Sequence, residues 1–188
     1  MIRPLANFSL NLSEVAQLVS AENIEAIKKP AAGIEITGVV HSDSEVEAGD
    51  IFLAIPGTKV HGASFMAAAV ARGAVAVVTD EAGAALTSAL PTLVVKDVRV
   101  AGAIIASSLY KDPTRDLATI GITGTNGKTT VTTLLYQLFA GAGRETGLIG
   151  TIETRIGSEI LKSVRTTPEA PELPVSYTHL TLPTKRIV

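Results

Sequence analysis

The sequence predicts an α/β fold with a largely parallel sheet. Runs of β-branched and apolar residues alternate along the chain with segments whose apolar residues recur at helical spacing. One such run, Leu117 to Ile122, leads into a glycine-rich turn that opens a further amphipathic segment. This order of strand, loop and helix is typical of a βαβ unit.

The composition indicates which kinds of partner are improbable and in which compartment the protein is expected. The formal net charge of −2 over 188 residues lacks the basic surplus of a protein that binds nucleic acid or an anionic membrane surface. The longest apolar stretch, residues 62–79, is interrupted by Arg72 and Gly73, which argues against a membrane-spanning helix. Because residues 1–12 show no signal-peptide pattern and the chain has no cysteine, a cytoplasmic protein is expected.

The first part of the chain is predicted to supply the sheet. Ser13 is a candidate N-cap for a helix that ends before Pro30. The elements predicted next are strands at residues 34–40, 51–55, 74–79 and 91–95, helices around residues 65–69 and 98–109, and a weak helix or loop at 82–89. The polar, proline-bearing residues 110–116 are the best domain boundary.

The segment from Gly124 to Thr130 predicts a phosphate-binding loop. Glycines let the backbone wrap around an anion, and the N-terminus of the following helix adds N–H groups and the positive end of its dipole. Lys128 supplies a mobile charge for the β and γ phosphates, and the Thr129 hydroxyl can bind a phosphate-bound Mg²⁺. The general pattern has a glycine where Ile122 stands, so this loop is a variant. The alternative is an ordinary glycine turn with Lys128 as a surface charge.

The residues after this loop are predicted to complete the βαβ unit. A strand is expected from Glu145 to Thr151. One apolar helix face, interpreted as core, is formed by Val131, Leu134, Leu135, Leu138, Phe139 and Ala142.

Three segments resemble one enzyme family. The ATP loop of the Mur ligases, which add amino acids to the peptide of the cell-wall precursor, is similar to Gly124-Thr125-Asn126-Gly127-Lys128-Thr129-Thr130. Gly147 to Thr151 and Arg165 to Ala170 resemble the MurE type within that family, the UDP-N-acetylmuramoyl-tripeptide synthetases. The resemblance runs from about Gly33 to Leu173. It implies a UDP-substrate-binding domain over residues 1–112 and, over 113–173, the first βαβ portion of a P-loop ATPase domain.

The resemblance also implies residues that bind the UDP end of the substrate. The family has Asp-Ser-Arg in the connection after the first strand, and an ungapped alignment on Gly49-Asp50 places it on Ser42, Asp43 and Ser44, just after His41. A one-residue gap would instead place Asp-Ser on Asp43 and Ser44. The following loop is expected to touch uracil and ribose largely through backbone groups of Thr58, Lys59 and Val60, with a plain βα loop as the alternative.

Two further site expectations concern other segments. Arg165, Thr166 and Thr167 resemble the residues with which the family contacts the muramoyl-peptide end of the substrate, although a helix cap at Thr-Pro-Glu accounts for the pattern equally well. Neither His41 nor His61 has a carboxylate or second histidine at ligand spacing, so no metal site is expected at either.

The reaction implied is ATP-dependent ligation of a diamino acid, meso-diaminopimelate or L-lysine, to UDP-N-acetylmuramoyl-L-alanyl-D-glutamate in peptidoglycan synthesis. Lys128 would be the catalytic residue, the loop from Gly124 to Thr130 would bind ATP, and Thr129 would hold Mg²⁺. The chain is expected to be a monomer, and its expected partners are the UDP-N-acetylmuramoyl-dipeptide and the diamino acid. It is also expected to be an incomplete, inactive fragment. A MurF-type or folylpolyglutamate-type ligase, or a non-catalytic nucleotide-binding fragment, are the alternatives.

The residues after Leu173 change in character. Three threonines, two prolines and no helical period occupy residues 174–188, where an amphipathic pattern was starting. Residues Val175 to Thr184 resemble the translation of a transposon adapter used in sequencing libraries. We therefore predict a non-native tail over residues 174–188, with a native C-terminal strand as the alternative.

Overall fold

The structure, a computed structural model, describes residues 7–86, 90–156, 159–162 and 172–181. These residues divide into two units, the first ending at Asp112 and the second beginning at Pro113. None of the helices in the described part of the chain is long and apolar enough to cross a membrane.

A four-stranded parallel sheet forms the centre of the first unit. Its strands are β3 (Gly38–Val40), β4 (Asp50–Leu53), β5 (Ala76–Thr79) and β6 (Thr92–Val94). They pair side by side in this order, and each pair is parallel. Every residue of β3, β4 and β5 is buried, as expected for parallel strands that are covered on both faces. The predicted α/β class with a parallel sheet is therefore confirmed.

Among the described residues of the first unit, five α-helices and a small antiparallel pair accompany this sheet. The pair joins β1 (Leu10–Asn11) to β2 (Glu35–Ile36). The helices are α1 (Leu12–Leu18), α2 (Ile24–Ile27), α3 (Met66–Ala71), α4 (Glu81–Ala84) and α5 (Val98–Leu109). Asp97 caps α5 by accepting hydrogen bonds from the N–H groups of Arg99 and Val100 at 2.9 and 3.0 Å.

Two local predictions in this unit are wrong. The expected strand over residues 34–40 is two strands, because Thr37 interrupts it: its N–H donates to the Gly49 carbonyl, and only β3 joins the parallel sheet. The cap of α1 is Asn11 and not Ser13, since the Asn11 side chain accepts the Ser13 N–H at 2.9 Å. The first error arises because residues 34–40 look like one continuous strand in the sequence. The second arises because Asn11 and Ser13 are both common N-cap residues, so the sequence does not distinguish them.

The described part of the second unit combines two α-helices with an antiparallel sheet. Helix α6 (Lys128–Gly141) is followed by β7 (Gly147–Ile149), β8 (Glu153–Ile156) and β9 (Glu159–Lys162). The strands pair in the order β7-β8-β9. The last element among the described residues is α7 (Glu172–Thr181).

The expected βαβ unit is not formed here. Residues 117–122 are outside any strand, and the Ile120 side chain is 56% exposed. Strand β7 pairs antiparallel with β8 and not parallel with residues 117–122. Antiparallel neighbours such as β7 and β8 need only a short turn, whereas all-parallel sheets occur almost only where both faces are covered.

The apolar face of α6 is also not a core. No residue of α6, which is described throughout, is fully buried. Leu134 and Leu138 are 59% and 65% exposed, and Val131 is exposed as well. Helix α6 confirms the helical period, but Val131, Leu134 and Leu138 on this face are exposed to solvent.

The tail prediction of no helix is wrong for residues 172–181, which form α7. Pro174 lies in the first turn, where the missing N–H of proline breaks no helical hydrogen bond. Val175 and Thr178 are buried, and the Thr178 hydroxyl donates to the Val175 carbonyl at 2.7 Å. Burial also raises the pKa of Tyr177 above its usual value. The non-native origin of residues 174–188 stays a prediction.

Candidate functional site

The glycine loop before α6 has the backbone of an anion-binding turn. Gly127, the N-cap residue, has φ of 80°, a left-handed conformation that glycine adopts without strain. No side chain caps α6, so the N–H groups of its first turn are left for another acceptor. Residues 123–127 are all exposed, and a Cβ at Gly127 would meet no atom within 4 Å. The loop therefore faces outward, with room for an anion.

Lys128 folds over this loop. Its ammonium Nζ donates a hydrogen bond to the Gly124 carbonyl at 2.6 Å, which places a positive charge beside the free N–H groups. The Thr132 hydroxyl donates to the Lys128 carbonyl at 2.7 Å, within the first turns of α6. The loop thus combines backbone donors, a helix N-terminus and an ammonium group, which is the donor set that a nucleotide phosphate requires.

Thr129, the candidate metal-binding residue, lies at the edge of a small cavity of about 50 Å³. Thr133, Thr151 and Glu153 also line this cavity. Hydroxyl and carboxylate oxygens are ligands that Mg²⁺ accepts. The Glu153 carboxylate also accepts a hydrogen bond from the Arg155 guanidinium at 2.7 Å. The lining of this cavity therefore includes oxygen donors of the chemical type that Mg²⁺ accepts.

The residues expected at the UDP end of the substrate follow two neighbouring strands at one edge of the first unit's sheet. His41 to Ser44 follow β3, and the loop of Thr58, Lys59 and Val60 follows β4. Since β3 and β4 are parallel neighbours, their carboxyl ends meet at the same edge. Ligands of open α/β sheets bind at this edge.

The segment after β3 offers several polar groups. Asp43 begins a 3₁₀ turn, Asp43–Glu45, and the hydroxyl oxygens of Ser42 and Ser44 lie 2.9 Å apart. The Nδ1 atom of His41 is buried and has no hydrogen-bond partner among the described residues. A buried nitrogen without a partner is costly, so it is suited to a ligand that supplies one.

The loop after β4 is a closed turn that presents its backbone. Pro56 and His61 pair across its base, and the Gly62 N–H donates to the Ile55 carbonyl at 3.0 Å. A Cβ at Gly57 would collide with the Val60 carbonyl, so the turn closes this tightly only with glycine there. Thr58, Lys59 and Val60 are exposed at the tip of this loop.

One interaction of His61 has no signal in the sequence. Its Nε2 lies 3.0 Å from Asp80 Oδ1, at the start of α4. The 18 residues between them show no motif, and the parallel pairing of β4 with β5 brings the two side chains together. The backbone N–H of Gly83 and the His61 side chain hold the pKa of Asp80 below its usual value.

The third group, Arg165, Thr166 and Thr167, lies outside the described residues. Its role at the peptide end of the substrate stays a prediction.

Comparisons with known proteins agree in the family they point to. Residues 35–112 match the model "Mur ligase family, catalytic domain", and residues 122–187 match the model "Mur ligase middle domain". The second match includes most of the segment predicted to be non-native.

Curated relatives share one activity in their names. The chain is similar to the UDP-N-acetylmuramoyl-L-alanyl-D-glutamate--2,6-diaminopimelate ligase of Streptomyces coelicolor, at 44% identity over 91% of this chain and 33% of the relative. The ligase of the same name from Streptomyces avermitilis is 49% identical over 77% of this chain and 29% of the relative. The chain therefore spans about a third of the length of these relatives.

Solved structures show the same fold. A structure of a UDP-N-acetylmuramoyl-L-alanyl-D-glutamate--2,6-diaminopimelate ligase has a TM-score of 0.56 and 26% identity, covering 78% of this chain and 29% of that one. A structure of MurF from Acinetobacter baumannii has a TM-score of 0.57 at 20% identity, covering 95% of this chain and 34% of that one. At that identity the second likeness shows the fold alone.

Proposed function

This chain belongs to the Mur ligase family, and we propose that it carries the substrate-tethering domain and the beginning of the ATP domain of an amide ligase. The complete enzyme would add a diamino acid to UDP-N-acetylmuramoyl-L-alanyl-D-glutamate. Residues 1–112 would bind the UDP end, and residues 113–173 would start the ATP site. The names of the relatives at 44% and 49% identity support diaminopimelate over lysine as the added residue.

The chemistry explains why an ATP loop is needed. A carboxylate is a poor acyl donor, so the γ-phosphoryl group passes from ATP to the terminal carboxylate of the substrate. The amine of the diamino acid then attacks the acyl phosphate, and an amide, ADP and phosphate are released. Such transfers depend mainly on positioning and on neutralising charge.

The residues of the loop supply that neutralisation. The Lys128 ammonium would exchange its bond with the Gly124 carbonyl for the phosphate oxygens, while the N–H groups at the start of α6 hold the same phosphates. Thr129 would hold Mg²⁺, which supplies further positive charge when bound. The outward-facing loop with Lys128 over it is the observation that carries the proposal.

A direct test is ATP binding by this chain, measured by calorimetry with Mg²⁺ present. Replacing Lys128 by alanine removes a charge-assisted hydrogen bond and should weaken ATP binding by about 10- to 100-fold. The same variant should bind UDP as the parent does, because UDP is assigned to the other unit. Lys96→Ala, which removes an exposed lysine of the first unit, is the matched control and should leave ATP affinity unchanged. Equal ATP affinity of Lys128→Ala and the parent would refute the loop assignment.

A second candidate function applies to this polypeptide taken alone. Because it spans about a third of its relatives, we propose that it binds nucleotide without catalysing ligation. Phosphate release from ATP, in the presence of the UDP-linked substrate and diaminopimelate, should stay at the level of a blank. Turnover by the chain would contradict this second proposal and leave the first intact.

The location proposed for the complete enzyme is the cytoplasm, where ATP and the precursor would be available.

A further inference from the structure

We propose that His61 and Asp80 form a positioning pair that holds the loop from Gly57 to Val60 in the shape that receives the uridine end of the substrate. The inference rests on the proposed function, because that function assigns this loop to UDP. It adds two residues that the family resemblance did not supply.

The proton positions in this pair follow from its partners. The backbone N–H of Ala63 can only donate, so His61 Nδ1, 3.0 Å away, must accept. The remaining ring nitrogen, Nε2, carries the proton and donates to Asp80 Oδ1 at 3.0 Å. Asp80 Oδ1 also accepts the Gly83 N–H at 2.8 Å. Both ring nitrogens of His61 are therefore engaged.

The pair connects three segments at the carboxyl edge of the sheet. His61 caps the 3₁₀ turn Gly62–Phe65, and Asp80 caps α4. His61 is at the same time the last residue of the closed turn that begins at Pro56. The orientation of the imidazole ring therefore fixes the position of the base of this turn relative to the start of α4.

Close packing leaves the ring little room to move. Gly83 lies directly against it, because a Cβ at Gly83 would collide with the Thr79 hydroxyl and approach His61 Cε1 closely. The side chains of His61 and Asp80 are only 18% and 27% exposed. Since the ring has no free nitrogen, His61 acts on the substrate through the loop backbone and not by direct contact.

The two nitrogens of His61 can be tested separately. His61→Asn keeps an acceptor near the Nδ1 position, so it still caps Ala63, but it cannot reach Asp80. His61→Gln keeps a donor near the Nε2 position, so it can still reach Asp80, but it loses the cap. Asp80→Asn approaches the pair from the other side, because the amide oxygen still accepts the Gly83 N–H while the negative charge is removed.

Each variant of the full chain is titrated with UDP by calorimetry, after circular dichroism has shown that it folds. His61→Asn should weaken UDP binding about tenfold, the effect of one lost hydrogen bond to a charged group, and His61→Gln should stay within about threefold of the parent. Asp80→Asn should change affinity in the direction of His61→Asn. Amide hydrogen exchange in residues 57–62 should be faster in His61→Asn than in His61→Gln.

A capping role alone would give the reverse order, with His61→Asn like the parent and His61→Gln impaired. That order, or equal UDP affinity in all variants, overturns the positioning pair and leaves the proposed function standing. If instead the parent chain shows no heat with millimolar UDP, the assignment of the loop to UDP is lost, and the positioning role with it.

Discussion

Two leucine-to-alanine changes test whether the two units differ in packing as the structure shows. Leu53 lies in β4, between β3 and β5, and is 1% exposed, whereas Leu138 on α6 is 65% exposed. Truncating a buried leucine costs about 2–5 kcal/mol, because a cavity adds to the lost burial. Full burial of a leucine contributes about 1.5–3 kcal/mol, and Leu138 buries roughly a third of its side chain, so Leu138→Ala should cost about 1 kcal/mol or less.

The assay is urea unfolding followed by far-UV circular dichroism, since the chain has no tryptophan. Leu53→Ala should lower the midpoint of the transition of the first unit, with an unchanged slope, and leave any separate transition of the second unit in place. Leu138→Ala is the chemically matched control. An equal loss of free energy of unfolding in both variants would mean that α6 is packed in solution, which would refute the exposed face described above.

Three further predictions concern other parts of the chain. The folded-state pKa of Asp80 lies below the usual 3.8, so its ionised form stabilises the fold above that pH, and this stability is lost as the pH falls below 3.8. Asp80→Asn should therefore make the free energy of unfolding less dependent on pH in this acid range, measured by acid titration. Gly73→Ala should lower the free energy of unfolding by about 1–3 kcal/mol in urea melts, since φ at Gly73 is 105° and a Cβ would lie 2.9 Å from Ala48 Cα; an unchanged midpoint would contradict this. If residues 174–188 are foreign, sequencing of the source gene beyond the codon for Leu173 should give different residues from Pro174 onward. If they are native, the gene should encode the same residues.

The sequence alone was sufficient for the fold class of the first unit. Alternating strand and helix patterns predicted β4, β5, β6 and α5 near their observed bounds. These elements are visible in sequence because burial on both sides of a parallel sheet demands continuous apolar runs, and one buried helix face demands a period near 3.6. The glycine loop was visible for a related reason, since few residues other than glycine adopt the backbone at Gly127.

What the tertiary structure decided is which surfaces meet. Three features depend on which segments are present to pack against: the pairing of β7 with β8, the exposed face of α6 and the absence of a strand at residues 117–122. The periodicity of a segment carries no information about the segments that it packs against. The same holds for His61 and Asp80, which are 19 residues apart and meet only because β4 and β5 are parallel neighbours. Local sequence patterns indicate whether a residue prefers burial or a particular backbone angle. Contacts between distant segments, in contrast, form only when the sheet assembles.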